Sequence, residues 1–332
     1  MTSIFDRTNH FQEFEDVASV LMYGSIADCP SPEVSIIIPC YKRPDTFRES
    51  LLSALRQTYN GQYEIVVVDN YDGEGESPNL MVVRELAGKN VLYYHNEKNL
   101  GMYGNWNRGI ELSRAEFFTY CHDDDVLLPN CLIQLMRVQK QNGNKLILSR
   151  FNTIDENGTL IAEYKYPHIK RHILKEKEWY DYTLYNQFIL SMGFGVGCLF
   201  NKQCMMEIGG YSKEYYPSAD YALQACYTYY YGCVINSVPT FNYRRAGNES
   251  FTIWKYFAEV DKQFRGFMRD KIRFDKILLN RIIKANYRLS KIDFAETWGT
   301  KEDIVGRRKK SDKVVMKIAS LSNRYKGYGL SL

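Results

Sequence analysis

The sequence contains no C-x-x-C pair, although it has eight cysteines, at 29, 40, 121, 131, 198, 204, 226 and 233. That scatter gives neither zinc-ribbon spacing nor the framework of a disulfide-stapled secreted domain, so reduced thiols in a cytosolic protein are expected. Histidine is scarce, and His10, His95, His168 and His172 fall in no metal-ligand spacing, which leaves them structural or solvated. No apolar run reaches the ~18 residues that a membrane-spanning helix needs. The opening "MTSIFDRTNHFQEFEDV" contains acids and lacks a basic stretch before an apolar core, which excludes an ordinary signal peptide. The net charge is only +4, so nucleic acid is not expected as the principal partner. Repeats and low-complexity segments are lacking too. A soluble or peripherally bound protein is expected.

What is present is enough apolar material for a large core: 332 residues, 45% hydrophobic, suit one main domain with an appendage. Residues 1–32 resemble a short amphipathic helix and a linker, with Pro30 and Pro32 in "CPSPE" stopping the helix. "EVSIIIPCY", "YEIVVVDN", "NVLYYHNE" and "FFTYC" read as strands buried on both faces of a parallel sheet. Between them "PDTFRESLLSALRQTY", "LMVVRELAG" and "GNWNRGIELSRA" have helical spacing, which predicts a doubly wound α/β architecture. A hairpin is expected around Asn157-Gly158, a Gly-rich loop, strand and helix over "GFGVGCLFNKQCMMEIGGY", and a helix over "DYALQACYTYYYG". Beyond about residue 255 the chain reads as helical and basic.

In open parallel sheets ligands bind beyond the carboxyl ends of the strands. The chemistry is therefore sought at 39–43, 69–72, 96–107 and 122–125. The last of these is "HDDD": Asp123, Asp124 and Asp125 stand side by side at the end of an apolar strand. Adjacent carboxylates repel, and a cation, hydrogen-bond donors or solvent must offset the charge. Magnesium or manganese beside a diphosphate would do so, since these ions favour oxygen ligands and keep open positions for phosphate oxygens. A solvated acidic turn is the plain alternative. A nucleotide base would need a flat partner and edge-on acceptors, which Tyr41 and Asp69 could supply. Lys42 and Arg43 either contact phosphates or are simply solvated.

"VSIIIPCYKRP", "VVVDN", "NEKNLGMYGNWNRGI" and "HDDDVLLP", in this order and at these intervals, resemble the nucleotide-binding half of glycosyltransferase family 2, inverting enzymes of GT-A fold. The resemblance is specific over about residues 33–140 and weaker to about 250. It implies a Rossmann-like, mostly parallel sheet flanked by helices, with a nucleotide-sugar half at 33–140, an acceptor half at 141–254 and a basic helical C-terminal extension at 255–332. It also implies that Pro39 and Tyr41 lie against the base of the nucleotide and that Asp69 accepts from it. Asn99, Gly101 and Asn107 would close over the nucleoside, Asp123 would sit near the ribose, and Asp124 would hold the metal with Asp125 as neighbour. His122 stands where many relatives carry another acid.

Inversion needs one carboxylate to take the acceptor hydroxyl's proton, while the metal stabilises the leaving diphosphate. Family members place that base in an acidic pair after a Gly-Gly-aromatic turn. The match in "IGGYSKEYYPSADYALQ" puts Ala219 at the first acid and Asp220 at the second, the expected base; an N-cap role for Asp220 is the alternative, and Glu214 is the substitute candidate. "MGFGVG" at 192–197 reads as an acceptor-side loop or a plain turn, and Arg244 or Arg245 as a mobile phosphate contact or a surface pair. The basic tail, Arg307 to Lys326, could lie on an anionic membrane, pack on the main domain or bind a partner.

The reading is an inverting, Mn2+- or Mg2+-dependent transferase using a nucleotide sugar, favoured as a UDP-sugar. Its acceptor would be a glycan or lipid-linked saccharide in cell-surface polysaccharide synthesis, and the protein would be cytoplasmic, either free or peripheral at the inner face of the cell membrane. A non-catalytic nucleotide- or glycan-binding subunit is the alternative. A sugar-phosphate nucleotidyltransferase ranks lower, since the loop "PCYKRPDT" lacks glycine.

Overall fold

A computed structural model of the chain describes residues 1–86, 88–164, 177–190, 195–245, 250–299, 303 and 306–324. Among these, a six-stranded sheet runs in the order β1-β4-β3-β2-β5-β10. Its strands are β1 (Ser19–Tyr23), β2 (Val34–Cys40), β3 (Tyr63–Asp69), β4 (Val91–Asn96), β5 (Phe117–Tyr120) and β10 (Phe200–Asn201). Strands β4, β3, β2 and β5 are parallel neighbours, as the uninterrupted β-branched runs predicted, and every residue of β2 is buried. Helices α1 (Pro44–Leu55), α2 (Pro78–Leu86) and α3 (Gly101–Leu112) connect them. Pro44 opens α1 where a missing N–H costs nothing. The chain takes the α/β GT-A fold, with further helices at its C-terminal end.

The amphipathic helix expected near the N-terminus is not formed. A 3-10 turn at Phe11–Phe14 is followed by β1, which pairs antiparallel with the free edge of β4, and a second 3-10 turn at Ile26–Asp28. The buried guanidinium of Arg108 on α3 fixes this segment, donating to the carbonyls of Phe14 and Val17 at 2.8 Å and to Ser19 Oγ at 2.6 Å. These bonds satisfy backbone acceptors that a helix would have used internally.

A second sheet runs β6-β11-β7-β8, with β9 also on β11. It comprises β6 (Val126–Leu127), β7 (Leu146–Ile154), β8 (Leu160–Ala162), β9 (Trp179–Asp181) and β11 (Cys233–Arg244), and α4 (Cys131–Asn142) packs on it. The expected hairpin joins β7 to β8, with Gly158 at φ +79° in its turn. One core unites Val34, Ile38 and Phe47 with Ile147, Val234 and Phe241, so 140/141 does not separate two cores. The other boundary, 254/255, falls inside the helix Ser250–Lys271. Phe264 and Met268 of that helix, with Leu279 and Ile282 of Lys276–Trp298, share a core with Phe118, Tyr120 and Tyr221. All eight cysteines are buried and free, and no helix of the described residues is long and apolar enough to cross a membrane.

Candidate active site

Chain order reverses at β2, which has β3 on one side and β5 on the other; this is the switch point where open α/β sheets bind ligands. A cavity of about 590 Å³ opens there. Of the residues singled out in the sequence, Pro39, Tyr41, Arg43, Asn99, Gly101, Asp123, Asp124, Asp125 and Asp220 line it. Asp69 and Asn107 do not.

Asp69 is fully buried, and its carboxylate accepts from the Tyr71 amide at 2.9 Å, from Ser77 Oγ at 2.5 Å, from Asn79 Nδ2 at 3.4 Å and from the Tyr93 hydroxyl. An acid with four internal donors is occupied in bracing β3 against β4 and α2. Its neighbour Asn70, to which sequence reasoning gave no role, lines the cavity. The Asn70 side chain donates to the Gly101 carbonyl at 3.0 Å and accepts from Asn96 at 2.8 Å. Asn107 clamps the Gly-Gly-Tyr turn, donating to the Tyr211 carbonyl at 2.9 Å and accepting from its amide at 2.8 Å. It therefore fixes the segment leading to Asp220 relative to α3.

Tyr41 is 39% exposed at the rim, its hydroxyl donating to Asp72 at 3.1 Å and its amide to Asp123 at 3.1 Å. Lys42, at φ +52°, pairs with Asp72 at 2.5 Å. The hydrogen bond from Lys42, and then that from Asn99, draws the Asp72 carboxyl down to about 2. Arg43 reaches Asp124 at 2.8 Å and Asp123 at 3.6 Å, so it serves the acid cluster.

The acid turn adjoins Tyr41 and Arg43 directly. Burial, and then the charge of Asp124, pushes the Asp123 carboxyl up to about 7, with Arg43 opposing. Asp125 is buried and held well above the usual carboxylate range, first by desolvation and then by Asp124, although it accepts the Arg244 amide at 2.8 Å. The cluster is thus short of positive charge. His122 stacks on Trp106 with centroids 4.8 Å apart; burial lowers its pKa, and its Nε2 is buried without a partner. Ligand atoms of His122, Asp124 and Asp125 come within 4.8 Å of one another. The other ring nitrogen of His122, Nδ1, lies 4.0 Å from the Asp125 carboxylate, and an imidazole beside two carboxylates fits a divalent cation.

Arg244, read with Arg245 as a mobile phosphate contact or a surface pair, is instead buried behind this turn. Its guanidinium donates to the carbonyls of Asp124 at 2.8 Å, Glu156 at 3.0 Å and Asp155 at 3.2 Å and pairs with Glu49. Arg245 is exposed and donates to the Thr297 carbonyl at 2.7 Å. Within "MGFGVG", residues 192–194 lie outside the described residues, as do 246–249; Gly195 and Val196 line the cavity.

Asp220 sits in the first turn of the helix Ala219–Tyr231, where Ser218, not Asp220, is the N-cap. The carboxyl opens into the cavity and accepts the Tyr221 amide at 2.8 Å. Desolvation, with Asp261 adding to it, pushes its pKa up to about 7. Ala219 points into the core, 1% exposed, and Glu214 holds the N-terminal segment through Thr2, away from the cavity lining. Ile253, Phe257, Asp261 and Phe294 close the far wall. Sequence reasoning missed that wall, because helical spacing shows an apolar face without showing what it covers. Trp106 could have been found, since it lies in the "GMYGNWNRG" stretch already singled out.

Residues 35–204 match the family described as Glycosyl transferase family 2. An uncharacterized glycosyltransferase of Methanocaldococcus jannaschii is 27% identical over 158 residues, which cover 46% of this chain and 54% of that protein. The Staphylococcus aureus poly(ribitol-phosphate) beta-N-acetylglucosaminyltransferase TarP is 28% identical over 122 residues, 36% of each protein. The chain thus spans about half or less of these curated relatives. Among solved structures, S. aureus TarS 1–349 in complex with UDP-GlcNAc superposes with a TM-score of 0.56 at 14% identity, covering 90% of this chain and 94% of that one, a likeness of fold. The matched stretch takes in just over half of the sequence and both β2 and the acid turn, and the chain belongs to glycosyl transferase family 2.

Proposed function

We propose that the protein is an inverting glycosyltransferase that moves a sugar from a UDP-sugar to a saccharide or lipid-linked saccharide in cell-surface polysaccharide synthesis. The observation that carries this is that two acidic groups from separate elements line one cavity, the turn Asp123–Asp125 that follows β5 and Asp220 in the first turn of the helix Ala219–Tyr231. The first suits a diphosphate with a cation, the second an acceptor hydroxyl. A base whose pKa is about 7 is matched to its task near neutral pH: about half of it is ionised there, and it is basic enough to accept the proton as the oxygen attacks the anomeric carbon. Tyr41 and Pro39 offer a flat edge for the base of the nucleotide, and Asn70 and Asn99 offer amide groups beside it.

His122, Asp124 and Asp125 would hold Mn2+ or Mg2+, which supplies positive charge for the leaving diphosphate. UDP-GlcNAc is the first donor to test, since TarS is solved with it and the name of TarP specifies N-acetylglucosaminyl transfer. Attachment to an anionic membrane through the tail rests on charge alone. Part of that charge is spent internally, Arg308 pairing with Asp293 at 2.6 Å and Glu296 at 2.5 Å.

A thermal-shift titration with UDP-GlcNAc and other nucleotide sugars, with and without Mn2+, tests the reading. A metal-dependent rise in melting temperature is expected in the wild type and is lost in Asp124→Ala. If no nucleotide sugar raised the melting temperature, the reading would fall.

A further inference from the structure

The family resemblance asks for adjacent acids at 219 and 220, yet this chain has alanine at the first, and that alanine faces the core. The cavity nevertheless contains a second carboxylate on the acceptor side. Asp261 comes from the helix Ser250–Lys271 and lines the same space as Asp220. It is 3% exposed and held by Arg265 at 3.7 Å, one turn further along. Arg265 is itself anchored, its Nε donating to the Phe188 carbonyl at 2.9 Å while its guanidinium lies 5.6 Å from the ring centre of Tyr221. Ile253, Phe257 and Asp261 recur every fourth residue and so share one face of the helix, directed into the cavity. Phe294 meets Phe257 at 5.6 Å between centroids and extends the apolar surface.

We propose that Asp261 is a positioning residue for the acceptor, forming with Asp220 a carboxylate pair supplied by two separate elements in place of the adjacent acids of the motif. The pair fits a sugar or other polyol with neighbouring hydroxyls: one faces Asp220, the next donates to Asp261, and the apolar face of the ring lies on Phe257 and Phe294. This rests on the glycosyl-transfer reading and adds the acceptor's chemistry to it. An acid at 219 could not substitute, because that side chain is enclosed by the core. Asp261 also faces Asp220 electrostatically and favours its protonated form. The groups around Asp220 are Asp261 and its partner Arg265 from the C-terminal helix, Tyr211 from the preceding turn, and Tyr221 beside it, with the acid turn and Arg43 lining the same cavity.

The test uses the full chain as wild type, Asp261→Asn, Asp261→Glu and Asp220→Asn. The first readout is transfer from UDP-GlcNAc to glycerol, a polyol acceptor with neighbouring hydroxyls, with hydrolysis by water as the reference reaction that has no second hydroxyl to position. Asp261→Asn is expected to lower kcat at pH 8 about tenfold or more, leave KM for UDP-GlcNAc within about twofold, and move the rising limb of the pH profile down by about one unit, with Asp261→Glu recovering most of the rate. A merely structural Asp261 would scale the rate at every pH without moving the limb, and that result overturns the proposal. The second readout needs no turnover: carboxyl 13C titration of Asp220, assigned by its loss in Asp220→Asn. An Asp220 midpoint unchanged by Asp261→Asn overturns the proposal as well. If the wild type binds and hydrolyses no UDP-GlcNAc, that donor assignment fails separately, and the carboxyl titration alone decides the pairing.

Discussion

A carboxyl that opens into a walled cavity instead of bulk water keeps its proton longer, and Asp220 illustrates what that costs and what it permits. Its folded-state pKa of about 7 lies above the ordinary 3.8, so between those values the folded protein binds more protons than the unfolded chain. Stability from this residue is therefore lost as pH rises through that window, and it stays lost above it. Asp220→Asn removes the penalty. We expect the variant to be more stable than wild type at pH 8, on the order of 1–3 kcal/mol after allowance for solvent in the cavity, and no more stable at pH 4. Melting curves at the two pH values check this. The same variant should lose roughly 10²- to 10⁴-fold in transfer rate, the range for removal of a general base. Wild-type activity should rise with pH along a limb centred near 7, and that limb should vanish in the variant.

At the scale of elements, the position of α3 decides whether the cavity exists, because Met102, Tyr103, Asn105 and Trp106 all project from it. Gly109 sets its distance from the sheet: a Cβ there would lie 2.3 Å from Cγ2 of the fully buried Ile37. Alanine is the better helix former by about 1 kcal/mol, but overpacking a rigid core costs about 1–3 kcal/mol, so Gly109→Ala should be destabilising on balance and should weaken nucleotide binding as α3 is displaced. Calorimetric melting and UDP titration would show both. Strand β11 has the complementary role of delivering Arg244 to the back of the acid turn. Arg244→Met takes the donor from the half-buried carbonyls of Asp124 and Asp155 and breaks the network around a buried guanidinium, and about 3 kcal/mol should be lost, whereas Arg245→Met at the exposed neighbour should change stability by less than about 0.5 kcal/mol. Chemical denaturation of the two variants provides the comparison. These roles explain why the sequence was legible in some places and silent in others. Strands β2 to β5 announce themselves because burial on both faces demands continuous apolar runs. The edge strand β1 does not, since Val20, Leu21 and Met22 are exposed and only β4 fixes their conformation. Asp123 and Asp124 were legible as cavity residues because they directly follow β5. The internal engagement of Asp69 was not, since Ser77 and Tyr93 reach it from separate elements.

Taken as a whole molecule, the chain closes its cavity with helices that sequence reading set apart as an appendage. The helices Ser250–Lys271 and Lys276–Trp298 bury Phe264, Met268, Leu279 and Ile282 completely and provide Phe257, Asp261 and Phe294 to the far wall. Each such large apolar side chain contributes about 1.5–3 kcal/mol, so together they are comparable with the net stability of about 5–15 kcal/mol that a typical folded protein has left after its entropy cost. The helix Lys310–Arg324 is attached differently. Among its described side chains, Met316 and Ala319 pack inward, and Asp312 pairs with Arg288 at 2.5 Å. None of its described side chains lines the cavity. Two truncations therefore have distinct expected outcomes. A chain ending at 305 should stay folded, melt a few degrees lower, and bind UDP with Mn2+ within about threefold of wild type, because the loss of a peripheral helix leaves the cavity wall intact. A chain ending at 249 should expose the apolar surface shared with Phe118 and Tyr221 and be recovered only as aggregate or as a compact state without fixed tertiary packing. Near-UV circular dichroism separates these states. A well-folded, UDP-binding fragment ending at 249 would show that the helices are an accessory after all and would remove Asp261 from the acceptor site at the same stroke.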